Sequence, residues 1–425
     1  MPSSTAPPHI VIVTPELWGL TRENGGISTS VFHLARLLRD RGDRVTILAG
    51  IAKDAALSEP WARRYRAAGI KVRLAIAAHR RGRIASSHTL DFPFRAIAEA
   101  VADELPEHAD VAIFQDWSAI GYETLRRAKA SQSAERPLSV TVLRGSSAWV
   151  RGSESPANDD NVSNEALACA ERFVVEHSRY VVAPSRSYLR TLVEQGTRPP
   201  PGDRTRVLRH PWLPLGTRRE LPSSDKSLRR LVYFGLLKTQ KGLDLFLDAL
   251  VELHQGSDCL KDLDEVLFVG REEVHRRGSI ERIAAELDGY GVPCRFLTDL
   301  DSWQASELLA DMASDSLVVV PSLRENFPNA VIEVSLVRGL NALYSDLDGV
   351  REVLGDCARD QLFAPDAGSL ATALRARLHA GPRGPDELMS YDWEGANDGW
   401  LAFRDELVSG VGSSHTTSAR NAVLR

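Results

Sequence analysis

The sequence predicts an α/β protein of two doubly wound domains, each a parallel sheet with helices on both faces. Three observations predict it. Continuous apolar runs rich in β-branched residues recur along the chain, as strands buried on both faces require. They alternate with stretches of helical periodicity, which is the strand–helix–strand rhythm of parallel sheets. A segment broken by Pro211, Pro214 and Pro222 divides that series in two. At 425 residues the chain is also too long for one ordinary core.

The first strand is "HIVIVTP" at 9–15. A glycine-bearing loop follows it, then "STSVFHLARLLRDRG", where Val31, Leu34, Leu37 and Leu38 recur at helical spacing. Ser28 is the expected N-cap of this helix and Gly42 its stop. "RVTILAG" is the next strand, and "DVAIFQD", "LSVTVLRG" and "RYVVAPS" continue the first series. The second series reads "RLVYFG", "EVLFVG", "CRFLTD", "SLVVVPS" and "LNALYSD". The expected organisation is a first domain at 1–210, a linker at 211–228 and a second domain at 229–390. A last helix at 391–409, able to cross back to the first domain, precedes a tail at 410–425 expected to be disordered.

Composition narrows the function. An apolar content of 43% and a charged content of 26% are ordinary for a globular protein. A net charge of −5 argues against nucleic acid as a partner. Cys169, Cys259, Cys294 and Cys357 form no Cys-x-x-Cys pair, which argues against a zinc site or a disulfide framework. The start "MPSSTAPP" lacks the basic-then-apolar pattern of a secretion signal, and no run approaches the roughly 18 apolar residues of a membrane span. The expectation is a cytoplasmic protein. The basic stretch 61–83 contains eight lysines and arginines and no acid. It reads as a solvated surface, with weak peripheral membrane contact as the alternative.

The stretch "PSLRENFPNAVIEV" places Glu325 in a loop after a strand and Glu333 in the helix that follows. Pro328 suits a first helical position, and the helix is expected to run through "NAVIEVSLVRG", its N-terminus offering free N–H groups to an anion. Carboxylates beside an anion site suit a sugar nucleotide, with diphosphate at the amides and hydroxyl-rich rings at the glutamates. "YFGLLKTQKGLDL" ends a strand at Gly235 and brings Lys238, Lys241 and Gly242 ahead of a helix. Here the backbone can approach a phosphate and a lysine can supply charge. Gly25 and Gly26 open the first helix of the first domain in the same manner. Open α/β sheets bind ligands at the carboxyl ends of their strands, so the two domains are expected to face each other across a cleft lined by these loops.

Together these residues resemble the retaining glycosyltransferases of the GT-B fold, two Rossmann-like domains facing across a cleft, and most closely glycosyltransferase family four. The likeness is most specific in "PSLRENFPNAVIEV…SDLDGVREVLGD" and good in "VYFGLLKTQKGLDL" and the glycine pair. It implies a nucleoside-diphosphate sugar such as a UDP-sugar as co-substrate, with no cofactor and no metal. Glu325 and Glu333 match the family's Glu-x7-Glu motif, the first against the donor sugar and the second against the ribose. It implies further that Asn326, Phe327, Pro328 and Asn329 hold sugar and diphosphate. Lys241 would be the phosphate lysine, Gly25, Gly26 and Gly235 the close-approach glycines, and Thr298 and Leu300 the border of the base. The acceptor, a hydroxyl or amine on a small molecule, saccharide or lipid-linked compound, would bind the first domain. There Asp116, at a strand end, either orients it or serves as a loop carboxylate.

Two positions depart from the family pattern. Leu236 stands where an arginine is usual beside the phosphates, with Lys238, Arg144, Arg209 and Arg324 as candidate substitutes. Arg144 itself stands where a histidine is usual, and reads either as a grip on a sugar carboxylate or phosphate or as a structural ion-pair residue. These departures support the alternatives of an impaired homologue that only binds nucleotide sugars, or another enzyme of this fold such as a sugar-nucleotide epimerase.

Overall fold

A computed structural model describes residues 6–20, 25–51, 55–77, 93–131, 137–145, 161–214, 227–256, 259–273, 277–291, 293–384, 388 and 390–422. Residues 21–24 of the first glycine-bearing loop, most of the expected linker, and Arg80, Arg81 and Arg83 of the basic stretch lie outside these. The chain divides into two compact units, residues 1–213 with 393–425, and residues 214–392.

The first unit holds strands β1 (His9–Thr14), β2 (Arg44–Ile51), β3 (Lys71–Ile76), β4 (Val111–Gln115), β5 (Leu138–Val142), β6 (Tyr180–Ala183) and β7 (Thr205–Val207). All neighbours are parallel, in the order β3-β2-β1-β4-β5-β6-β7. The helices are α1 (Gly26–Asp40), α2 (Glu59–Ala67), α3 (Pro93–Glu104), α4 (Tyr122–Ser131), α5 (Asn161–His177) and α6 (Arg186–Glu194). Val11, Val13, Leu48, Ala112 and Phe114 form the core on one face of the sheet's centre. Strands β3 and β7 were not anticipated: both are edges, and Lys71, Arg73, Arg204 and Arg206 interrupt the apolar run by which a buried strand is recognised. Acids from outside the basic stretch meet several of its charges: Arg63 and Arg66 pair with Glu59, and Arg73 with Glu104.

The second unit repeats the plan with β8 (Arg230–Phe234), β9 (Glu265–Val269), β10 (Cys294–Leu297), β11 (Ser316–Val320), β12 (Asn341–Ser345) and β13 (Leu362–Phe363). These run parallel in the order β10-β9-β8-β11-β12-β13. Its helices are α7 (Leu243–Gly256), α8 (Ile280–Asp288), α9 (Ser302–Asp311), α10 (Asn329–Ser335), α11 (Asp348–Leu354) and α12 (Ala367–Ala380). Leu231, Tyr233, Phe246, Phe268, Leu317 and Val319 fill the core between sheet and helices. The fold class read from the sequence, two Rossmann-like α/β halves, is the one observed.

The last helix, α13 (Trp393–Ala422), belongs to the first unit. It continues through 410–422, where the sequence suggested a tail: no proline interrupts it, and Gly410 and Gly412 weaken a helix by about 1 kcal/mol each without breaking it. Trp400, Phe403 and Leu407 bury against Ile10, Leu38 and Ile113. The Asn397 amide accepts from Trp212 N and donates to Trp212 O, at 2.9 and 2.8 Å. Asp43, fully buried before β2, is gripped through both oxygens by Arg404. Removing one partner of a buried pair strands the other charge, so Asp43→Ala is expected to lower stability by about 3 kcal/mol. Thermal unfolding followed by hydrogen exchange in α13 and β2 checks this; an unchanged exchange rate there contradicts it.

Among the described residues no helix is long and apolar enough to cross a membrane.

Candidate functional site

In each sheet the strand order reverses once, between β1 and β4 and between β8 and β11. At such switch points the loops leaving the two strands diverge to opposite faces and open a crevice at the strand ends. Most of the residues singled out in the sequence follow these four strands.

In the second unit, Gly235 ends β8 with φ of +149°, a conformation that disfavours any side chain. The loop then runs through Leu236 and Lys238 to a single tight turn, Thr239–Lys241, and Gly242 with φ of +76°. Gly242 is required twice over, since a Cβ there would lie 1.8 Å from the carbonyl oxygen of Pro321 at the end of β11. The close approach fastens the two loops together, helped by Leu323 N donating to Gln240 O at 2.9 Å. Lys241 Nζ consequently donates to Glu325 Oε1 at 2.6 Å. Ser322 Oγ donates to the same oxygen at 2.7 Å. Two donors therefore converge on Oε1, while the side chain as a whole keeps only 7% of its surface exposed against 29% for Lys241. Gly349, in the first turn of α11, carries the loop's far side: a Cβ there would lie 2.5 Å from Asn326 O and 2.7 Å from Glu325 O.

Asn326 Oδ1 accepts from Phe327 N at 2.6 Å, and Phe327 is buried. The helix beyond differs from expectation. Pro328 is its N-cap rather than its first residue, and α10 ends after seven residues at Ser335 instead of running on to Gly339. Backbone amides from so short a helix are a weaker anion site than the sequence suggested. Glu333, on α10, is partly exposed, and the protein packed around it disfavours the charged form and pushes its pKa up to about 8. A carboxyl raised in the folded state is neutral there at pH values where the unfolded chain is already ionised. Its effect is absent below about 4.5, and stability is lost as pH rises through about 8. Glu333→Gln is therefore expected to raise the melting temperature at pH 8.5 and leave it unchanged at pH 4.5. A difference independent of pH contradicts this.

Thr298 and Leu300 follow β10, the edge strand, two strands from β8 and hence about 10 Å across the sheet. Leu300 is exposed. Lys238 Nζ stands 3.7 Å from Glu273 Oε2, and Leu236 is partly buried.

In the first unit Gly25, not Ser28, is the N-cap of α1; Ser28 Oγ instead donates to Gly25 O at 2.7 Å. A Cβ on Gly25 would lie 2.4 Å from Glu16 Oε2, so an acid after β1 presses on the glycine pair. Asp116, after β4, is buried and already engaged: it accepts from Arg144 N at 2.7 Å, Gly145 N at 3.5 Å and Tyr188 Oη at 3.4 Å. Burial raises its pKa to about 6 against the pull of those donors. Arg144 Nε donates to Gln115 Oε1 at 2.8 Å, and burial lowers its pKa to about 10. The geometry gives this pair a bracing contact between the ends of β4 and β5. Beyond Asp116, Ser118 and Ala119 hold φ of 62° and 49°, and Ser118 N is fixed by Glu171 Oε1 at 3.0 Å. Such strain in a strand-end loop is of order 1–3 kcal/mol and tends to mark functional loops.

The structure thus brings together Lys241, Glu325 and the glycines Gly235 and Gly242, and it adds Ser322, Tyr233 and Gly349. Tyr233 Oη is directed to Leu236 O at 2.7 Å and Lys241 O at 3.0 Å. The signals for these three were slight: a hydroxyl inside an apolar strand, the serine after Pro321, and the glycine in "LDGV".

No curated protein matches the chain by sequence. Among solved structures, sucrose-phosphate synthase from Thermosynechococcus elongatus superposes with a TM-score of 0.64 at 16% identity, covering 95% of this chain and 100% of that one. The catalytic domain of starch synthase IV from Arabidopsis thaliana, bound to ADP and acarbose, gives 0.62 at 14%, covering 95% and 100%. Anabaena HepE in complex with UDP-glucose gives 0.58 at 14%, covering 95% and 99%. At these identities the likeness shows the fold. Family models add the lineage: residues 25–210 match a glycosyl transferase 4-like domain and residues 229–380 the glycosyl transferases group 1. With both sheets, their switch points and both family matches in the same order along the chain, this protein belongs to the glycosyltransferases.

Proposed function

We propose that the chain transfers a sugar from a nucleoside-diphosphate sugar to an acceptor hydroxyl or amine, with retention of anomeric configuration. The observation that carries this is the Lys241–Glu325 pair at 2.6 Å, held at the second unit's switch point by two glycine-dependent loops. A lysine provides charge for a diphosphate, and a buried carboxylate beside it accepts from sugar hydroxyls. Glu325 Oε1 is taken up by Lys241 and Ser322, which leaves Oε2 as the acceptor for a donor hydroxyl. Glu333, further along, is the proposed partner of the ribose. Nucleotide complexes of two similar structures, with ADP and with UDP-glucose, support a nucleotide sugar as donor.

In this reading bond cleavage leaves negative charge on the diphosphate and positive charge on the sugar ring. Lys241 stabilises the first by preorganised electrostatics. No side chain acts as covalent nucleophile: the leaving phosphate oxygen takes the proton of the acceptor on the same face. The first unit is the proposed acceptor domain, with the β4-end loop as its contact and Asp116 as the residue that shapes that loop. Leu236 stands where the resemblance expects a cation beside the phosphates, which favours as the second reading an impaired homologue that binds nucleotide sugars.

The test is a panel of UDP-, GDP-, ADP- and dTDP-sugars, with nucleoside diphosphate release measured with and without acceptors and the product anomer assigned by NMR. Release with retained configuration is the expected result. Inverted product overturns the mechanism, and binding without release under every acceptor favours the impaired homologue.

A further inference from the structure

The distance between Lys241 and Glu325 depends on where the loop 235–242 puts the lysine's backbone. Its two ends are glycines in conformations that other residues resist, and its turn is closed by Lys241 N donating to Lys238 O at 3.0 Å and Gly242 N to Thr239 O at 2.9 Å. Its first half is tied to the end of β9 through Leu237 N to Arg271 O at 2.9 Å and Glu273 N to Leu237 O at 3.1 Å. Its second half is tied to β11 through Gln240 O. Between these lies the Tyr233 hydroxyl, rising from a fully buried ring packed on Phe246 and Phe268. It spans the loop as a chord, directed to the carbonyl before the turn and to the carbonyl of Lys241 itself.

We propose that Tyr233 is a positioning residue for Lys241: its hydroxyl, shared between Leu236 O and Lys241 O, fixes the loop at the height where the ammonium meets the Glu325 carboxylate. The inference rests on the proposal that Lys241 contacts the donor diphosphate. The ring is anchored by its aromatic neighbours, so the hydroxyl is a fixed point against which the loop is held. Burial also pushes the phenol pKa well above its ordinary value, so the group remains a donor at every working pH. Without the hydroxyl, two carbonyls lose a shared donor, and the loop is expected to sample positions that carry the Lys241 ammonium away from the place where a diphosphate would meet it.

The experiment compares the parent chain with Tyr233→Phe in three readouts: calorimetric affinity for nucleoside diphosphate, donor KM against kcat, and hydrogen exchange in 235–242. The expected result is a roughly tenfold loss of diphosphate affinity and a matching rise in donor KM. The fall in kcat is expected to be smaller, and faster exchange to be confined to the loop. Unchanged affinity and unchanged loop exchange overturn the proposal. So does faster exchange spread over the whole second unit, which would mark a role in stability alone. If the parent chain binds no nucleoside diphosphate, the donor reading fails by itself. Loop exchange in Tyr233→Phe still decides whether the hydroxyl holds the loop.

Discussion

Glu325→Gln is expected to keep the fold, lower sugar transfer by about a hundredfold or more, and bind free nucleoside diphosphate more tightly than the parent. The two effects have one origin. Lys241 and Glu325 satisfy each other at 2.6 Å. A diphosphate arriving alone must compete with the carboxylate for the lysine, whereas a complete donor offers the carboxylate sugar hydroxyls in exchange. Glutamine keeps the shape and can still accept from Ser322, but it removes the opposing charge. The freed lysine then meets a diphosphate without competition, a gain of about 1 kcal/mol, or roughly fivefold in affinity. The complete donor loses a charge-assisted hydrogen bond and binds no better. Steady-state transfer assays and calorimetry check both arms. A variant with weakened diphosphate binding, or with transfer intact, would show that the pair has no such function.

Gly242→Ala is expected to have the largest structural effect on the site. At φ of +76° an alanine is strained, and its Cβ would overlap Pro321 O, which is backbone and cannot rotate away. The turn must therefore lift from the end of β11, separating Lys241 from Glu325. A stability loss of about 2–4 kcal/mol accompanies it. Donor affinity should fall at least tenfold. Gly42→Ala is the control: its φ of +104° imposes comparable strain, but nothing lies within 4 Å of the added carbon. That variant should lose a little stability and keep donor binding. Equal donor affinity in the two variants would contradict the close-approach argument.

The parts of this protein legible in its sequence are those governed by local pattern. Runs such as "LVVV" and "HIVIV" announce strands buried on both faces, and their alternation with helices announces a parallel sheet. The edge strands β3 and β7 are hidden because basic residues interrupt their apolar runs, and β13 because it is only two residues long. Helix ends were read one turn off at Ser28, where the hydroxyl bonds back to Gly25 O instead of capping. They were also misread beyond Ser335, where nothing in "SLVRG" announces so early a stop. Lys241 and Glu325 are legible as candidates because both stand in loops at strand ends, beside a glycine and a proline-opened turn. Their direct contact is not, because 84 residues separate them and only the β8–β11 neighbourhood brings them together. Tyr233, Ser322 and Gly349 act through position alone, and a tyrosine in an apolar strand looks like any core residue until its hydroxyl is located. Asp116 and Arg144 were readable as polar groups at strand ends. Their burial and their mutual bracing emerge only in three dimensions.

The most direct measurement is a calorimetric titration of the intact chain with nucleoside diphosphates and their sugar derivatives, repeated with Lys241→Ala. One base should bind with a single site per chain, and the substitution should abolish most of that affinity. If no member of the series binds, or if the alanine variant binds as tightly as the parent, the loop that joins β8 to α7 does not hold a diphosphate and the assignment of this site is wrong.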